Sequence, residues 1–369
     1  MKAIQWIISA LVAVVIIAAA VGGGGYFIRL KSIHSIRKLT DYENYNLYRM
    51  DIDYAYDLDR LIDRGITDNQ SMINAILAEA LPYLPIHMKA PNFGCSAFCT
   101  QGTDGHTLMG RNYDFKNDTS AMLVYCTPKD GYASVAFAAL DNINANTPDA
   151  SMAKKLATLT APFICLDGMN EKGVSIAVLT LDSDPTYQQT GKPMIATTLA
   201  IRLVLDRAAT TAEAVELLSK YDMFASSGRD YHFYITDASG DGRVLEYDCN
   251  DPARPLTATP SRSVTNFFVM YKDNVLPNQR NGVYGHGRER YDAIEEILDA
   301  NAGSIDREIA WQALQAASQA PNPQDVTSNT QWSILYDNTA LTAEAVIRRD
   351  WNTKTSYNLV SNVAVTDVG

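Results

Sequence analysis

The part of this chain that most constrains its fold is a pair of short strand-forming runs separated by a turn. Residues 96–101 and 107–113 favour strands, and Thr103-Asp104-Gly105 between them has the composition of a tight turn. A symmetric hairpin with its turn at these residues places Cys95 opposite Tyr113. The sequence therefore predicts an antiparallel hairpin here.

Three reactive side chains converge on this hairpin. Arg111 lies on the same face as Cys95, one diagonal step from the sulfur, and Asp114 lies just past the strand end. A cation beside a cysteine favours the thiolate, which is the nucleophilic form. A buried structural cysteine beside a surface ion pair would give the same pattern, so the residues alone leave two interpretations open.

The spacing of these residues resembles that of a known family. Arg111 follows Cys95 by sixteen residues and Asp114 by nineteen, within the run Gly110-Arg111-Asn112-Tyr113-Asp114-Phe115. This pattern resembles the choloylglycine hydrolase and acid-ceramidase-like superfamily of N-terminal-nucleophile cysteine amidases, which includes penicillin V acylase and acyl-CoA:6-aminopenicillanic acid acyltransferase. A second matching stretch is Asp167-Gly168-Met169-Asn170-Glu171-Lys172-Gly173-Val174, and the resemblance covers roughly residues 45–369.

The resemblance implies a reaction in which the nucleophile supplies its own base. In the family, cleavage of the peptide bond before the cysteine, here Gly94–Cys95, frees an α-amino group with an ordinary pKa of about 8. That amine relays the thiol proton to the departing nitrogen, while Arg111 orients and acidifies the thiol and Asp114 accepts a hydrogen bond from the amine. No histidine lies near enough to Cys95 in the sequence to be an obvious base, although His106 at the hairpin turn stays open.

The resemblance also implies the residues that stabilise the oxyanion. Val264-Thr265-Asn266-Phe267 resembles the family's Thr-Asn element, which makes Asn266 the oxyanion-hole amide, with a strand-end cap as its alternative role. The later family arginine corresponds to Arg290, with Arg288 as a close alternative and a solvated helix-start charge as the rival interpretation. Bile salt hydrolases carry an asparagine where this chain has Thr180, so Thr180 is expected to contribute its backbone N–H alone. This departure puts specificity for bile salts in doubt and leaves the general amidase interpretation.

These observations predict an enzyme that hydrolyses a linear, non-peptide amide bond of a small-molecule N-acyl substrate through an acyl-cysteine intermediate. An N-acyltransferase of the same superfamily would use the same intermediate, and nothing in the sequence separates the two. A non-catalytic, membrane-tethered binding module that keeps the fold is the alternative outside the enzymes. Such a module would not need Cys95, Arg111 and Asp114, and all three are present.

Composition limits the partners of this chain. Its 369 residues carry a net charge of −11 without any basic run, which argues against a nucleic-acid partner. The five cysteines are too scattered for a disulfide framework, and the five histidines show no zinc-ligand spacing. We therefore expect no metal and no cofactor, while the oligomeric state is left open.

Residues 1–28 are predicted to be a signal peptide or a membrane anchor. Their apolar run suits a signal-peptide core, and residues 3–28 together are long enough to span a bilayer if they stay uncleaved. Ala18-Ala19-Ala20 offers a cleavage site, whereas the glycine run and the basic flank after Ile28 suit an anchor. The positive-inside rule places that basic flank in the cytoplasm. This conflicts with the expected location of the enzyme, which is outside the cytoplasm of a bacterium, either secreted or anchored in the membrane.

Residues 29–94 are predicted to be a propeptide that covers the nucleophile until the Gly94–Cys95 bond is cut. Apolar residues fill every second position from 50 to 58, and residues 68–84 favour an amphipathic helix that begins at Asp68 or Asn69. A permanent N-terminal subdomain without a cut is the alternative.

Residues 95–369 form the predicted catalytic domain. After the hairpin come strand pairs within 121–138 and 163–179, a helix pair within 194–222, strands within 231–247, helices within 288–319 and strands within 331–360. This order indicates the α+β class, and the resemblance implies a four-layer αββα sandwich, the N-terminal-nucleophile hydrolase fold. Residues 167–173 are expected to form a turn between two of the strands.

Overall fold

The computed structural model describes residues 27–81, 94–280, 282–322 and 329–368. The predicted signal peptide or anchor, residues 1–28, therefore lies almost entirely outside the described part of the chain. Within the described residues, none of the helices is long and apolar enough to cross a membrane.

Two large sheets dominate the described residues. The first has nine strands in the order β1 (Arg37–Lys38), β2 (Leu47–Ile52), β5 (Ala121–Cys126), β6 (Ser134–Ala139), β7 (Cys165–Asn170), β8 (Ser175–Leu181), β11 (Asp230–Thr236), β12 (Gly242–Tyr247) and β13 (Leu256–Pro260). The second has seven strands in the order β14 (Ser263–Val264), β3 (Gly94–Gln101), β4 (Thr107–Asp114), β15 (Thr330–Asp337), β16 (Thr342–Ile347), β17 (Thr353–Asn358) and β18 (Val363–Val368). A small parallel pair, β9 (Met194–Ala196) and β10 (Asp222–Phe224), completes the strands.

Eight α-helices lie within the described residues. They are α1 (27–34), α2 (Leu58–Ile62), α3 (Asn69–Ala80), α4 (Met152–Ala157), α5 (Thr197–Arg207), α6 (Thr211–Leu218), α7 (Arg288–Ala300) and α8 (Arg307–Ala317). Helix α5 packs on β7 and β8, helices α7 and α8 pack on β3 and β4, and β3 contacts β8 between the sheets. The predicted α+β class is confirmed, and the layers run helix, sheet, sheet, helix.

Strand β4 is buried on both faces and so directs its side chains into two different layers. Because side chains alternate along a strand, Asn112 faces helix α8, where its amide donates to the Leu314 carbonyl at 2.9 Å. Its neighbour Arg111 faces the other sheet, where its guanidinium donates to the Val178 carbonyl at 2.8 Å. This alternation places the reactive face of the hairpin between the two sheets.

The predicted propeptide contributes two strands, β1 and β2, to the nine-stranded sheet. Strand β2 lies between β1 and β5 and pairs with β5 in parallel, and Tyr56 beyond it donates to the Asp206 carboxylate of α5 at 3.0 Å. Strand pairing ends at Ile52, although the alternation of apolar residues continues to residue 58. Helix α3 begins after Asp68, as predicted, with a capping box to Ser71.

The predicted turn at residues 167–173 is wrong over most of its length. Strand β7 continues through Asn170, and the turn is confined to the residues before Val174, with Gly173 at φ +76°. The reason lies in Asp167, whose buried carboxylate accepts from the Trp332 indole at 3.1 Å and from the Tyr336 hydroxyl at 2.6 Å. These long-range partners keep an aspartate in a strand where the local sequence favours a turn.

Candidate active site

Cys95 lies in the predicted register, paired with Tyr113 across β3 and β4. Its side chain is fully buried between the sheets. Tyr113 beside it stacks on Trp332 with ring centroids 4.0 Å apart, which fixes the wall of the site on that side. Arg111, also fully buried, hydrogen-bonds the thiol as the hairpin argument required.

The guanidinium of Arg111 is held from several directions. Nη1 donates to the Asn112 carbonyl and Nη2 to the Val178 carbonyl, each at 2.8 Å, while Nε lies 3.5 Å from the Asp167 carboxylate. A buried charge needs a partner because leaving it unpaired costs several kcal/mol. Burial raises the pKa of Asp167 above its usual range, and the charge of Arg111 offsets only part of this effect. Sequence analysis singled out the stretch around Asp167 but missed this role.

Burial dominates the acidity of the Cys95 thiol in this uncut chain. It raises the pKa of Cys95 to about 11, and the charge of nearby Asp114 raises it as well. The positive charge of Arg111 and its hydrogen bond to the sulfur act in the opposite direction. At neutral pH the thiol of the uncut chain is therefore protonated.

Asp114 lies beside the nucleophile but does not accept from its nitrogen in the uncut chain. Its carboxylate accepts from the Thr330 hydroxyl at 2.6 Å and from the Gln319 amide at 2.7 Å, and Arg290 Nη1 lies 3.4 Å away. Burial raises the pKa of Asp114, while the charge of Arg290 and these hydrogen bonds lower it. The backbone N–H of Cys95 instead donates to Asn266 Oδ1 at 2.8 Å.

Asn266 is the centre of the polar cluster. Its Oδ1 accepts from Cys95 N and from Arg290 Nη2, each at 2.8 Å, and its Nδ2 donates to the Thr180 carbonyl at 2.9 Å and hydroxyl at 3.1 Å. Donors on one side and acceptors on the other fix the orientation of the amide. Thr180 therefore joins the cluster as a hydrogen-bond acceptor, through its carbonyl and hydroxyl oxygens. The expected contribution of its backbone N–H to the oxyanion stays a prediction.

Arg290, and not Arg288, is the arginine that reaches Cys95. Its Nη1 donates to the Cys95 carbonyl at 2.7 Å, and the residue is buried. Arg288 points away and pairs with Asp292 at 2.7 Å on its own helix. Helix α7 begins just before both arginines, so a difference of two residues rotates the side chains to different faces.

Sequence analysis also missed the glycines that let this cluster form. Gly285 has φ +106°, and a Cβ there would lie 2.1 Å from the Asn266 carbonyl oxygen. Gly287 has φ +86°, and a Cβ there would lie 2.3 Å from Arg290 Nη2. The signal was present in the run Tyr284-Gly285-His286-Gly287 directly before an arginine-rich helix start, since paired glycines often mark close backbone approach.

Replacing Gly285 by alanine is expected to displace Asn266 and to lower activity by about 10²-fold, the usual effect of a misplacement near 1 Å. The matched control is Gly303→Ala, because Gly303 has φ +82° but no atom within 4 Å of its would-be Cβ. Both variants should lose about 1–2 kcal/mol from backbone strain. Thermal unfolding and kcat measured together separate the two effects, and equal activity loss in both variants would contradict this role for Gly285.

A cavity of about 670 Å³ opens next to the ends of β8 and β11. Its walls combine apolar surface with charged side chains, among them Asp182, Arg229 and Arg254. Leu181 at the end of β8 pairs with Asp230 on β11, and Thr180 lies one residue before it. The cavity is therefore a neighbour of the Asn266 cluster. Among the described residues, no group of three or more His, Cys, Asp or Glu side chains is arranged to hold a metal ion.

Comparison with known proteins identifies a family model and solved structures that this chain resembles. Residues 95–251 match the family model described as linear amide C–N hydrolases, choloylglycine hydrolase family. Two variants of the conjugated bile acid hydrolase from Clostridium perfringens superpose with a TM-score of 0.54 and 16% identity, over 74% of this chain and 97% of theirs. Penicillin V acylase from Agrobacterium tumefaciens superposes with a TM-score of 0.51 and 17% identity, over 71% of this chain and 85% of its own. At these identities the similarity establishes the fold, that of the N-terminal-nucleophile hydrolases.

Proposed function

The resemblance to the choloylglycine hydrolase family of linear amide C–N hydrolases is confirmed over residues 95–251, and on that premise we propose a specific reaction. The chain hydrolyses a linear, non-peptide amide of a small N-acyl compound through an acyl-cysteine intermediate. The observation that carries this proposal is the convergence of five buried side chains from β3, β4, the loop after β14 and α7, namely Cys95, Arg111, Asp114, Asn266 and Arg290.

Each of these groups has a place in the reaction. The thiol of Cys95 gives its proton to the α-amine of the same residue, and the thiolate attacks the carbonyl carbon of the amide. The carbonyl oxygen takes the released electron pair and accepts a hydrogen bond from Asn266 Nδ2, which turns from Thr180 to the oxyanion. Collapse breaks the C–N bond, and the ammonium of Cys95 protonates the departing nitrogen.

Deacylation reverses the roles of these groups. Water gives a proton to the α-amine and attacks the thioester carbonyl, which releases a carboxylic acid and restores the thiol. Arg111 holds a fixed positive charge beside the sulfur throughout, and Arg290 holds the Cys95 carbonyl in place. The carboxylate of Asp114, close to Arg290, is available to accept from the new ammonium.

This scheme requires cleavage of the Gly94–Cys95 bond, because an amide nitrogen has no basic lone pair to relay a proton. In the uncut chain the Cys95 nitrogen is such an amide, and the thiol has a pKa of about 11. Both facts support a chain that is inactive until it is cut. Strand β2 pairs along its length with β5 beyond Cys95, so we propose that residues 29–94 stay bound as a separate polypeptide after cleavage.

Active enzyme is expected to contain a chain that begins at Cys95 and a second, shorter chain that copurifies with it. N-terminal sequencing of the purified protein identifies the new terminus. Intact-mass analysis after brief exposure to an acylating amide or ester substrate should show one acyl group on the longer chain alone. Full activity in a chain that is uncut before Cys95 would contradict the proposal, as would an acyl group carried by the shorter chain.

A further inference from the structure

His286 lies at the edge of the polar cluster without a part in the reaction described above. Its backbone N–H donates to the Asn266 carbonyl at 2.9 Å, and its imidazole Nδ1 lies 2.7 Å from the Asp182 carboxylate. The side chain is 5% exposed. A carboxylate accepts hydrogen bonds, so Nδ1 carries a hydrogen, and in the tautomer with its single hydrogen on Nδ1 the other nitrogen, Nε2, is an acceptor.

Nε2 of His286 is buried and has no hydrogen-bond partner among the residues that the structure describes. Leaving a buried polar atom unpaired costs about 1–3 kcal/mol, so such an atom requires an explanation. A purely structural histidine in the same protein shows the contrast. His232 uses both ring nitrogens, Nδ1 with Glu246 at 3.0 Å and Nε2 with the Thr265 carbonyl at 2.9 Å.

The location of His286 indicates what could bind there. Asp182, which holds the ring, lies two residues beyond Thr180, a separation of about 6.6 Å along an extended chain. Thr180 holds the Asn266 amide, and Asp182 also forms part of the wall of the 670 Å³ cavity. His286 is therefore joined to Asn266 through its backbone N–H and to a wall residue of the cavity, Asp182, through Nδ1.

We infer that His286 binds the amine half of the substrate, with Nε2 accepting a hydrogen bond from the N–H of the scissile amide, and that Asp182 orients the ring for this contact. This assignment rests on the proposed amidase function. His286 is then a substrate-binding residue that favours an amide over an ester, because only the amide has an N–H to donate. The contact with Asp182 alone would provide a hydrogen-bond partner for Nδ1 and would leave Nε2 without one.

The test compares a p-nitroanilide and a p-nitrophenyl ester that share one acyl group. Both form the same acyl-enzyme, so kcat/KM reports acylation, and the leaving groups differ in having or lacking an N–H. In His286→Phe, kcat/KM for the anilide should fall roughly fivefold to tenfold, the effect of one hydrogen bond, while the ester stays within about twofold. His286→Gln, which keeps an acceptor, should recover part of the anilide activity.

Equal losses on both substrates would show that His286 acts on the structure of the site, and unchanged anilide turnover would show that it does not contact the amine half. Either result overturns the inference. If His286→Phe does not fold, the ratio of the two substrates in His286→Gln and Asp182→Asn decides instead. A wild-type enzyme that forms no acyl-cysteine from the ester would refute the proposed function itself.

Discussion

Cys95→Ala is expected to lower amide hydrolysis by about 10⁴-fold or more, because it removes the atom that forms the covalent intermediate. The same variant should accumulate as an uncut chain, since the proposed cleavage before residue 95 uses the same thiol. Cys95→Ser should slow both steps without abolishing the fold, because a hydroxyl fills the same buried position with a weaker nucleophile. Rates of amide hydrolysis and the mass of the purified chain measure the two effects together.

The matched control for this prediction is Cys99→Ala. Cys99 lies on the same strand, four residues on, and is also buried, but its backbone N–H bonds the Arg262 carbonyl at the sheet edge. Cys99→Ala should cleave itself and hydrolyse amides like the wild type, apart from a modest loss of stability. Wild-type amidase activity in Cys95→Ala would refute the assignment of the nucleophile.

Asn266→Ala is expected to reduce kcat by about 10²–10³-fold, which corresponds to about 2.7–4 kcal/mol of lost transition-state stabilisation. The substitution removes Nδ2, the hydrogen-bond donor of the Asn266 side chain. It also removes Oδ1, the acceptor that lies 2.8 Å from Arg290 Nη2. Asn266→Asp separates these effects. It keeps the acceptor for Cys95 and Arg290 but places an oxygen opposite the Thr180 oxygens.

Both Asn266 variants should therefore be slow if donation to the oxyanion matters, whereas Asn266→Asp should be nearly normal if the residue merely anchors Arg290. Asn112→Ala is the matched control. Asn112 is an equally buried asparagine that bonds the Leu314 carbonyl on the helix side of β4. It should lose stability and keep kcat per folded molecule, so a comparable drop in its kcat would remove the special role of Asn266.

Much of the nucleophile region follows from local sequence. The register that pairs Cys95 with Tyr113 depends on a short turn, and the shared face of Cys95 and Arg111 depends on the alternation of side chains along a strand. Both are properties of neighbouring residues, so they are readable from spacing alone. The same holds for the N-cap Asp68, whose side chain bonds the backbone three residues ahead.

The rest of the site could be decided by the tertiary structure alone, because its contacts join residues far apart in the chain. Arg290 and Cys95 are 195 positions apart, and nothing local separates Arg290 from Arg288 until helix α7 is placed against β3. The same reason applies to Asp167, which is held in a strand by its hydrogen bonds to Trp332 and Tyr336. It also applies to Gly285, where a Cβ would clash with Asn266 only because the two residues lie against each other in the folded chain. Sequence determined the hairpin that brings Cys95 and Arg111 to one face, while packing between the two sheets and α7 selected the groups that surround them.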